Sequence, residues 1–373
     1  MGVAKQGWEK TRTPGVWKRE GPRGVRYKVW HRDPSGKQRT QTFLRIRDAE
    51  HFLHDLAVRK TAGTYVDPAL GKVTVGEFAD HFLATAHNLR PKTREMYSMA
   101  LRVHILPALG DCRLNAVTKT DARRFVSDMV AEGKGAATVT LATRVAHRLF
   151  QVALEEERIG RNVWSGVKVP QQTRREVRFL TETEVRKIAD EVPPRYRVAV
   201  WTLAVAGLRI GELAALRVRH VDFERGTIRV EAASAEINGV RLEGATKTAA
   251  GMRTVDIPQT LVRMLKEHAV KYSAPLDPNA LLFTATRNAP LRQSNFRRQV
   301  FQPAARRAGI DPRPRVHDLR HTSASWMGKA GLSLVEAGAM LGHTAQSMTA
   351  RYSHWYPEVR QAKMQALDAL IGS

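Results

Sequence analysis

Residues 169–178 read Val-Pro-Gln-Gln-Thr-Arg-Arg-Glu-Val-Arg, a stretch opened by a proline and filled with polar and charged side chains. Such a segment has little to bury and favours an extended tether over a helix or strand. The sequence on each side must therefore build its own core, and the two sides are patterned differently. Residues 73–166 read as almost wholly helical. Val75, Phe78 and Phe82 mark one amphipathic helix, and Pro91 opens another along Tyr97, Leu101 and Ile105. Residues 121–132 present Phe125, Met129 and Val130 and stop before Gly133, while 137–157 turn Val145, Leu149 and Val152 inward. Beyond the tether, Thr181-Glu-Thr-Glu184 carries a helix-start signature. A single apolar helix is predicted from there through Trp201 and Leu203 to a break at Gly207. Residues 227–230 and 253–257 read as strands, and the remainder to Ser373 is expected to be mainly helical.

A third region precedes these. Residues 1–47 carry 13 Lys and Arg against Glu9, Glu20 and Asp33. Residues 24–31 alternate in the manner of a strand, Asp33-Pro-Ser-Gly36 is a turn, and 37–44 read as the partner strand. A helix over 48–61, with Phe52, Leu53 and Leu56 on one face, completes a small basic module, and 63–71 reads as a linker. Tyr27, Trp30 and Phe43 lie among the charges, so this hairpin could lie against DNA, with Arg26, Lys28 and Arg39 as candidate contacts. The alternative is a solvated hairpin with no ligand. The predicted fold class is thus mainly α with small β-sheets: a hairpin-and-helix module at 1–65, a helical bundle at 74–168, and a mixed α/β domain at 176–373.

With 61 Lys and Arg against 36 acids, the chain has a net charge of +25 spread along its length. That excess points to a polyanionic partner. A ribosomal or merely basic protein is the plainer alternative. No amphipathic helix with a lysine-lined polar face suggests a membrane surface, and no apolar run is long enough to span a bilayer. The lone Cys112 excludes an intramolecular disulfide and a thiolate metal cluster. The opening residues lack the apolar core of a signal peptide, so an intracellular, reduced protein is expected.

The chemistry concentrates in the last 170 or so residues, counted from Ala-Gly-Leu-Arg209-Ile-Gly-Glu212. Lys247 follows in Thr-Lys-Thr, His317 and Arg320 in His-Asp-Leu-Arg-His, His343 in Leu-Gly-His, and Tyr352 in Arg-Tyr-Ser-His. Cleaving a phosphodiester requires charge neutralisation, a nucleophile and a proton for the leaving oxygen. Arginine suits the first task, because its planar fork stays charged and donates two hydrogen bonds to phosphate oxygens. A tyrosine is a poor nucleophile unless cations stabilise its phenolate. Each residue also has a plainer reading. Arg209 could be a surface ion pair with Glu212, and Tyr352 a core tyrosine. His317 and His321 have the i, i+4 spacing of zinc ligands, with His343 as a conceivable third, but Asp318 stands where a zinc-protease helix carries its glutamate.

Taken together, in their order and spacing, these motifs resemble the catalytic domain of the tyrosine recombinases, the phage-integrase family, over residues 176–373. Residues 74–166 are similar to that family's core-binding domain, and 1–65 more weakly resemble its arm-type DNA-binding domain. The resemblance implies that Tyr352 attacks the scissile phosphate to give a 3′-phosphotyrosyl link, and that Arg209 and Arg320 grip the non-bridging oxygens. It further implies Lys247 as general acid, with Arg253 a nearby alternative cation. His317 and His343 would hydrogen-bond the phosphate and help move the tyrosine proton, and Glu212 would support Arg209. Neither a metal nor another cofactor is expected. The implied partners are double-stranded DNA at core and arm sites, a homotetramer on that DNA, an excision factor and a host DNA-bending protein, in the cytoplasm of a bacterium. An apolar stripe of Met364, Leu367 and Ile371 could dock on a neighbouring subunit or on its own domain. The rival readings are a resolvase or invertase of the same chemistry, and a non-catalytic DNA-binding protein on the same fold.

Overall fold

The computed structural model describes residues 7–22, 24–32, 36–61, 70–172, 177–237, 239–245, 251–274 and 276–342. The chain divides into two compact units, residues 1–173 and 174–373.

The first unit begins with a four-stranded antiparallel sheet, β1 (Glu9–Lys10), β2 (Val16–Gly21), β3 (Gly24–Arg32) and β4 (Gln38–Phe43), in that order. The hairpin read from the sequence is β3–β4; β1 and β2 extend it. β2 is hard to see because Lys18, Arg19 and Glu20 interrupt its alternation. One face of the sheet packs on α1 (Ile46–Thr61), where Val16, Val29 and Ala49 are buried beside Tyr27, Phe43, Phe52 and Leu53.

A separate helical core follows. It comprises α2 (Val75–Thr85), α3 (Pro91–Ala100) continuing through a π-helical turn into α4 (Leu106–Leu109), α5 (Lys119–Ala131) and α6 (Ala136–Glu155). Thr74 with Glu77, and Thr118 with Asp121, close reciprocal hydrogen bonds at the starts of α2 and α5, satisfying backbone N–H groups that the helices leave open. Trp164 closes the core, its ring edge-on to Phe125 at 5.5 Å.

The second unit opens with α7 (Glu182–Glu191) and α8 (Pro194–Val205). Thr181 and Glu184 form the expected capping pair, but the single apolar helix read from the sequence is two. Val192, ahead of the Pro193-Pro194 pair, is extended at ψ 152°, because a residue before proline is driven out of the α region. α9 (Ile210–Ala215) leads into a sheet of β5 (Val221–Asp222), β6 (Thr227–Val230) and β9 (Arg253–Asp256), and a separate hairpin of β7 (Ala232–Ile237) and β8 (Val240–Ala245). Of these, β6 and β9 match the strands read from the sequence and pair antiparallel. α10 (Gln259–Tyr272), the short α11 (Gln293–Asn295) and α12 (Gln302–Arg307), α13 (Val316–Lys329) and α14 (Leu334–Leu341) complete the described part. One large apolar core joins α7–α10, α12, α13 and the β5–β6–β9 sheet. Lys247, His343, Tyr352 and the 364–371 stripe lie outside the described residues.

Candidate active site

α8 is apolar on nearly every side, so Ala199, Val200, Leu203 and Ala204 are all buried in the unit's core. The chain leaves this helix through Gly207, whose φ of +63° is one that side-chain-bearing residues rarely adopt. Space excludes a side chain as well, since a Cβ on Gly207 would stand 2.5 Å from Leu341 and 2.8 Å from the Ser323 hydroxyl. Gly207 is thus pressed between α13 and α14. Two residues later Arg209 is the N-cap of α9, extended at ψ 146°, with its side chain 41% exposed.

The Arg209–Glu212 ion pair exists, but it is not a surface contact. Glu212 is 3% exposed and binds Arg209 twice: its Oε2 accepts from the Arg209 backbone N–H at 2.8 Å and its Oε1 from Nη1 at 2.7 Å. A second arginine completes the carboxylate's coordination. Arg253 of β9 donates from Nη1 to Oε1 at 3.2 Å and from Nη2 to Oε2 at 2.9 Å. Burial works against the charged form of Glu212, but the hydrogen bonds and charge of Arg253, then the bonds from Arg209, outweigh it and hold the pKa below the ordinary carboxylate value. The Arg253 side chain is nearly buried and its guanidinium donates four hydrogen bonds to protein acceptors, which makes it a partner of Glu212 more than a spare cation for the role given to Lys247.

Arg320, on the second turn of α13, is 3% exposed. Its Nη1 donates to the Gly207 carbonyl at 2.7 Å and its Nη2 to the Leu341 carbonyl. His317 lies one helical turn earlier and remains accessible to solvent. Partial desolvation, then the positive charge of Arg320, lowers its pKa against an opposing pull from Asp318; Arg209 and Arg315 lower it further. His317 is thereby biased towards the neutral imidazole, which can accept a proton. His321 packs edge-on against the His317 ring at 4.8 Å, and burial followed by the charge of His317 brings its own pKa to about 4. Among the described residues no group of three or more His, Cys, Asp or Glu side chains is placed to hold a metal ion.

α14 ends in Gly342, left-handed at φ 67°, ψ 51°, which turns the chain immediately before His343. Three arginines meet the carbonyls there. Arg253 Nε donates to Met340 O at 2.6 Å, Arg320 to Leu341 O, and Arg209 Nη2 to Gly342 O at 3.4 Å. The structure therefore brings together Arg209, Glu212, His317 and Arg320, and it gives Arg253 and His321, read in the sequence as an alternative cation and a conceivable zinc ligand, places as their packing partners. Arg253 was visible in the sequence only as a cation within a strand; its burial could not be read there.

On the N-terminal sheet, register decides which candidate contacts share a face. Trp17 pairs with Lys28 and Arg19 with Arg26, placing these with Lys10, Trp30 and Arg32 on the face away from α1. Every charged strand residue on that face is Lys or Arg. The Lys28 ammonium lies 4.2 Å from the Trp8 ring centroid and 5.3 Å from that of Trp30, which stabilises the aromatic cluster through cation–π contact. Arg39 does not join them. It pairs with His31, whose ring packs on Phe52 of α1, so period-two alternation turns it to the helix-covered face.

Residues 178–358 match the phage integrase family, and residues 74–130 match the SAM-like N-terminal domain of phage integrases. The integrase of Mycobacterium phage D29 is 32% identical over 288 residues, covering 76% of this chain and 75% of that protein. This chain belongs to the phage integrase family. It is an enzyme of DNA strand breakage and rejoining. Among solved structures, the Tn1549 transposon integrase in complex with a circular intermediate DNA superposes with a TM-score of 0.67 at 19% identity, over 79% of this chain and 99% of that one. A lambda integrase tetramer bound to a Holliday junction gives 0.60 at 22%, over 92% and 96%. At those identities the two structures establish a shared fold. No helix among the described residues of this family member is long and apolar enough to cross a membrane.

Proposed function

We propose that this chain integrates and excises the DNA of a phage or mobile element, using Tyr352 as nucleophile. The phenolic oxygen attacks the scissile phosphorus, the bond from phosphorus to the 5′-oxygen breaks, and a 3′-phosphotyrosyl ester forms. Lys247 gives its proton to the departing 5′-oxygen. Arg209 and Arg320 neutralise the charge that builds on the non-bridging oxygens, the task that a metal ion performs in other phosphoryl-transfer enzymes. His317 and His343 hydrogen-bond the phosphate, and the neutral imidazole of His317 accepts the tyrosine proton. A 5′-hydroxyl from a second duplex then reverses the attack. The ester retains roughly the free energy of the bond it replaced, so no nucleotide hydrolysis is required.

One observation carries this reading: the guanidiniums of Arg209 and Arg320 are both anchored on the last carbonyls of α14, directly before His343. In this reading residues 1–65 are an arm-type DNA-binding domain using Arg26 and Lys28, 74–168 the core-binding domain, and 176–373 the catalytic domain. The face of the N-terminal sheet whose charged residues are all Lys or Arg supports the first assignment. Exchange between two duplexes needs four active sites, so a homotetramer on double-stranded core and arm DNA is the working form, assisted by an excision factor and a host DNA-bending protein in the bacterial cytoplasm.

A nicked duplex that traps the covalent intermediate tests the chemistry. The native chain should form a protein–DNA adduct, whereas Tyr352→Phe should bind the same duplex and form none; an adduct in that variant would refute the assignment. Lys247→Ala should cleave poorly unless sulfur replaces the scissile 5′-oxygen, and absence of relief by sulfur removes Lys247 as the acid.

A further inference from the structure

Arg253 holds a position that the catalytic reading leaves unused. Its side chain is 6% exposed, and one guanidinium joins three parts of the domain. From β9 it bonds both oxygens of Glu212 on α9, the Met340 carbonyl at the end of α14, and the carbonyl of Gly251 in its own strand's approach. Glu212 in turn holds Arg209 through its backbone and its side chain. The last carbonyls of a helix have no intrahelical donor and carry the negative end of its dipole. At α14 the carbonyls of Met340, Leu341 and Gly342 are taken in sequence by Arg253, Arg320 and Arg209. Arg209 and Arg253 both link that terminus to Glu212, and of the two only Arg253 does so from outside α9 and its cap, reaching across from β9.

We propose that Arg253 is a positioning residue: it ties the Glu212 carboxylate to the α14 terminus, and so fixes the orientation of Arg209 relative to Arg320 and the point from which the chain departs towards His343. The proposal rests on the reading of Arg209 and Arg320 as the phosphate-gripping pair. With its side chain nearly buried and its guanidinium turned onto protein acceptors, Arg253 acts through Glu212 and through the helix end. A lysine cannot replace it fully, since a single ammonium lacks the planar fork that spans a carboxylate and a carbonyl together. Without Arg253, the charged groups facing Glu212 among the described residues reduce to Arg209. Burial then opposes ionisation with less compensation, and Glu212 takes up a proton at a higher pH than in the native chain.

The test is covalent-adduct formation on the nicked duplex, measured from pH 5 to 8 in the full-length chain alongside DNA affinity and thermal melting. Arg253→Met should slow adduct formation by about ten- to a hundredfold, the scale expected when reacting groups are misplaced by about 1 Å. Its rate should fall further towards acid pH along a limb absent from the native profile, while affinity for the duplex stays within about twofold. Arg253→Lys should recover the native pH profile and part of the rate. If Arg253→Met unfolds, the double variant Arg253→Met/Glu212→Gln, which removes the uncompensated buried carboxylate, should melt higher than Arg253→Met and regain the rate of Glu212→Gln alone. The proposal is overturned by a folded Arg253→Met with native rate and profile, by a loss of affinity that matches the loss of rate, or by a double variant no better than Arg253→Met. Absence of an adduct with the native chain would instead refute the underlying catalytic reading.

Discussion

On the open face of the N-terminal sheet, Arg19, Arg26 and Arg32 stand exposed around Trp8, Trp17 and Trp30. Around Gly207 and the end of α14, the side chains of Arg253 and Arg320 are buried and donate to carbonyls and a carboxylate. The residue type is the same and the physical task differs. Exposed cations keep their hydration and their rotamer freedom, so they attract a polyanion without dictating where a single phosphate sits. Buried guanidiniums are desolvated at considerable cost, which is recovered only when each N–H meets an acceptor; what results is a fixed direction. Net charge is therefore a poor guide to where chemistry occurs, whereas the number of protein acceptors around an arginine is a good one.

Disruptions should separate the two regions. The largest effect on folding is expected from Glu212→Ala, which leaves Arg253 buried without its counter-charge and should cost about 3–5 kcal/mol in denaturant unfolding of residues 174–373; a loss below about 1 kcal/mol, the scale of a surface pair, would place this arginine cluster in the same class as the sheet face. Arg320→Ala should reduce adduct formation by about 10²–10³-fold, the usual consequence of removing one charge-stabilising donor. Native cleavage by that variant would show that its carbonyl bonds are purely structural.

Acid offers a subtler comparison. Among the described residues, the four histidines with lowered pKa, His220, His268, His317 and His321, all belong to the second unit. His268 is 2% exposed, and burial, against an opposing bond to the Leu282 carbonyl, takes it from 6.5 to about 4. Because the folded value lies below the unfolded one, its contribution is fully present above pH 6.5 and is lost as pH falls towards 4, by at most about 3 kcal/mol. Melting of residues 174–373 should thus weaken over that window, and His268→Gln should flatten the dependence. Equal acid sensitivity in that variant would remove His268 as the cause.

The smallest effect is expected on the sheet. Lys28→Ala should weaken arm-site binding uniformly across sequences, lower the slope of log affinity against log salt by about one, and leave adduct formation on a core site unchanged. Arg39→Ala, on the helix-covered face, should leave the salt slope as it was. A reversed result would show that the β3–β4 register does not decide which cations meet DNA.

Much of this was legible in the sequence because it is local. Thr181 with Glu184 announces α7, Pro91 announces α3, and the spacing of Val75, Phe78 and Phe82 announces α2; each depends on residues a turn apart. β2 was missed because its residues alternate too little to stand out without β3 beside them, and α7 and α8 were merged because apolar periodicity outweighed the two prolines. At the candidate site, Arg209, Glu212, His317 and Arg320 could be singled out from their motifs taken as a set, in order and spacing. The role of Arg253 was not, because nothing local distinguishes a strand arginine facing water from one facing a buried carboxylate.

The sequence by itself determined which side chains can neutralise a phosphate, where most helices begin, and that the chain binds a polyanion, because those properties belong to residue types and to neighbours within a few positions. Tertiary structure alone decided that Gly207 is pressed between Leu341 and Ser323, that Arg39 faces α1, and that three arginines from different elements converge on the end of one helix. Those outcomes depend on contacts between segments as much as 134 residues apart, as for Gly207 and Leu341, and no local pattern records which buried acceptors a folded chain will bring within reach.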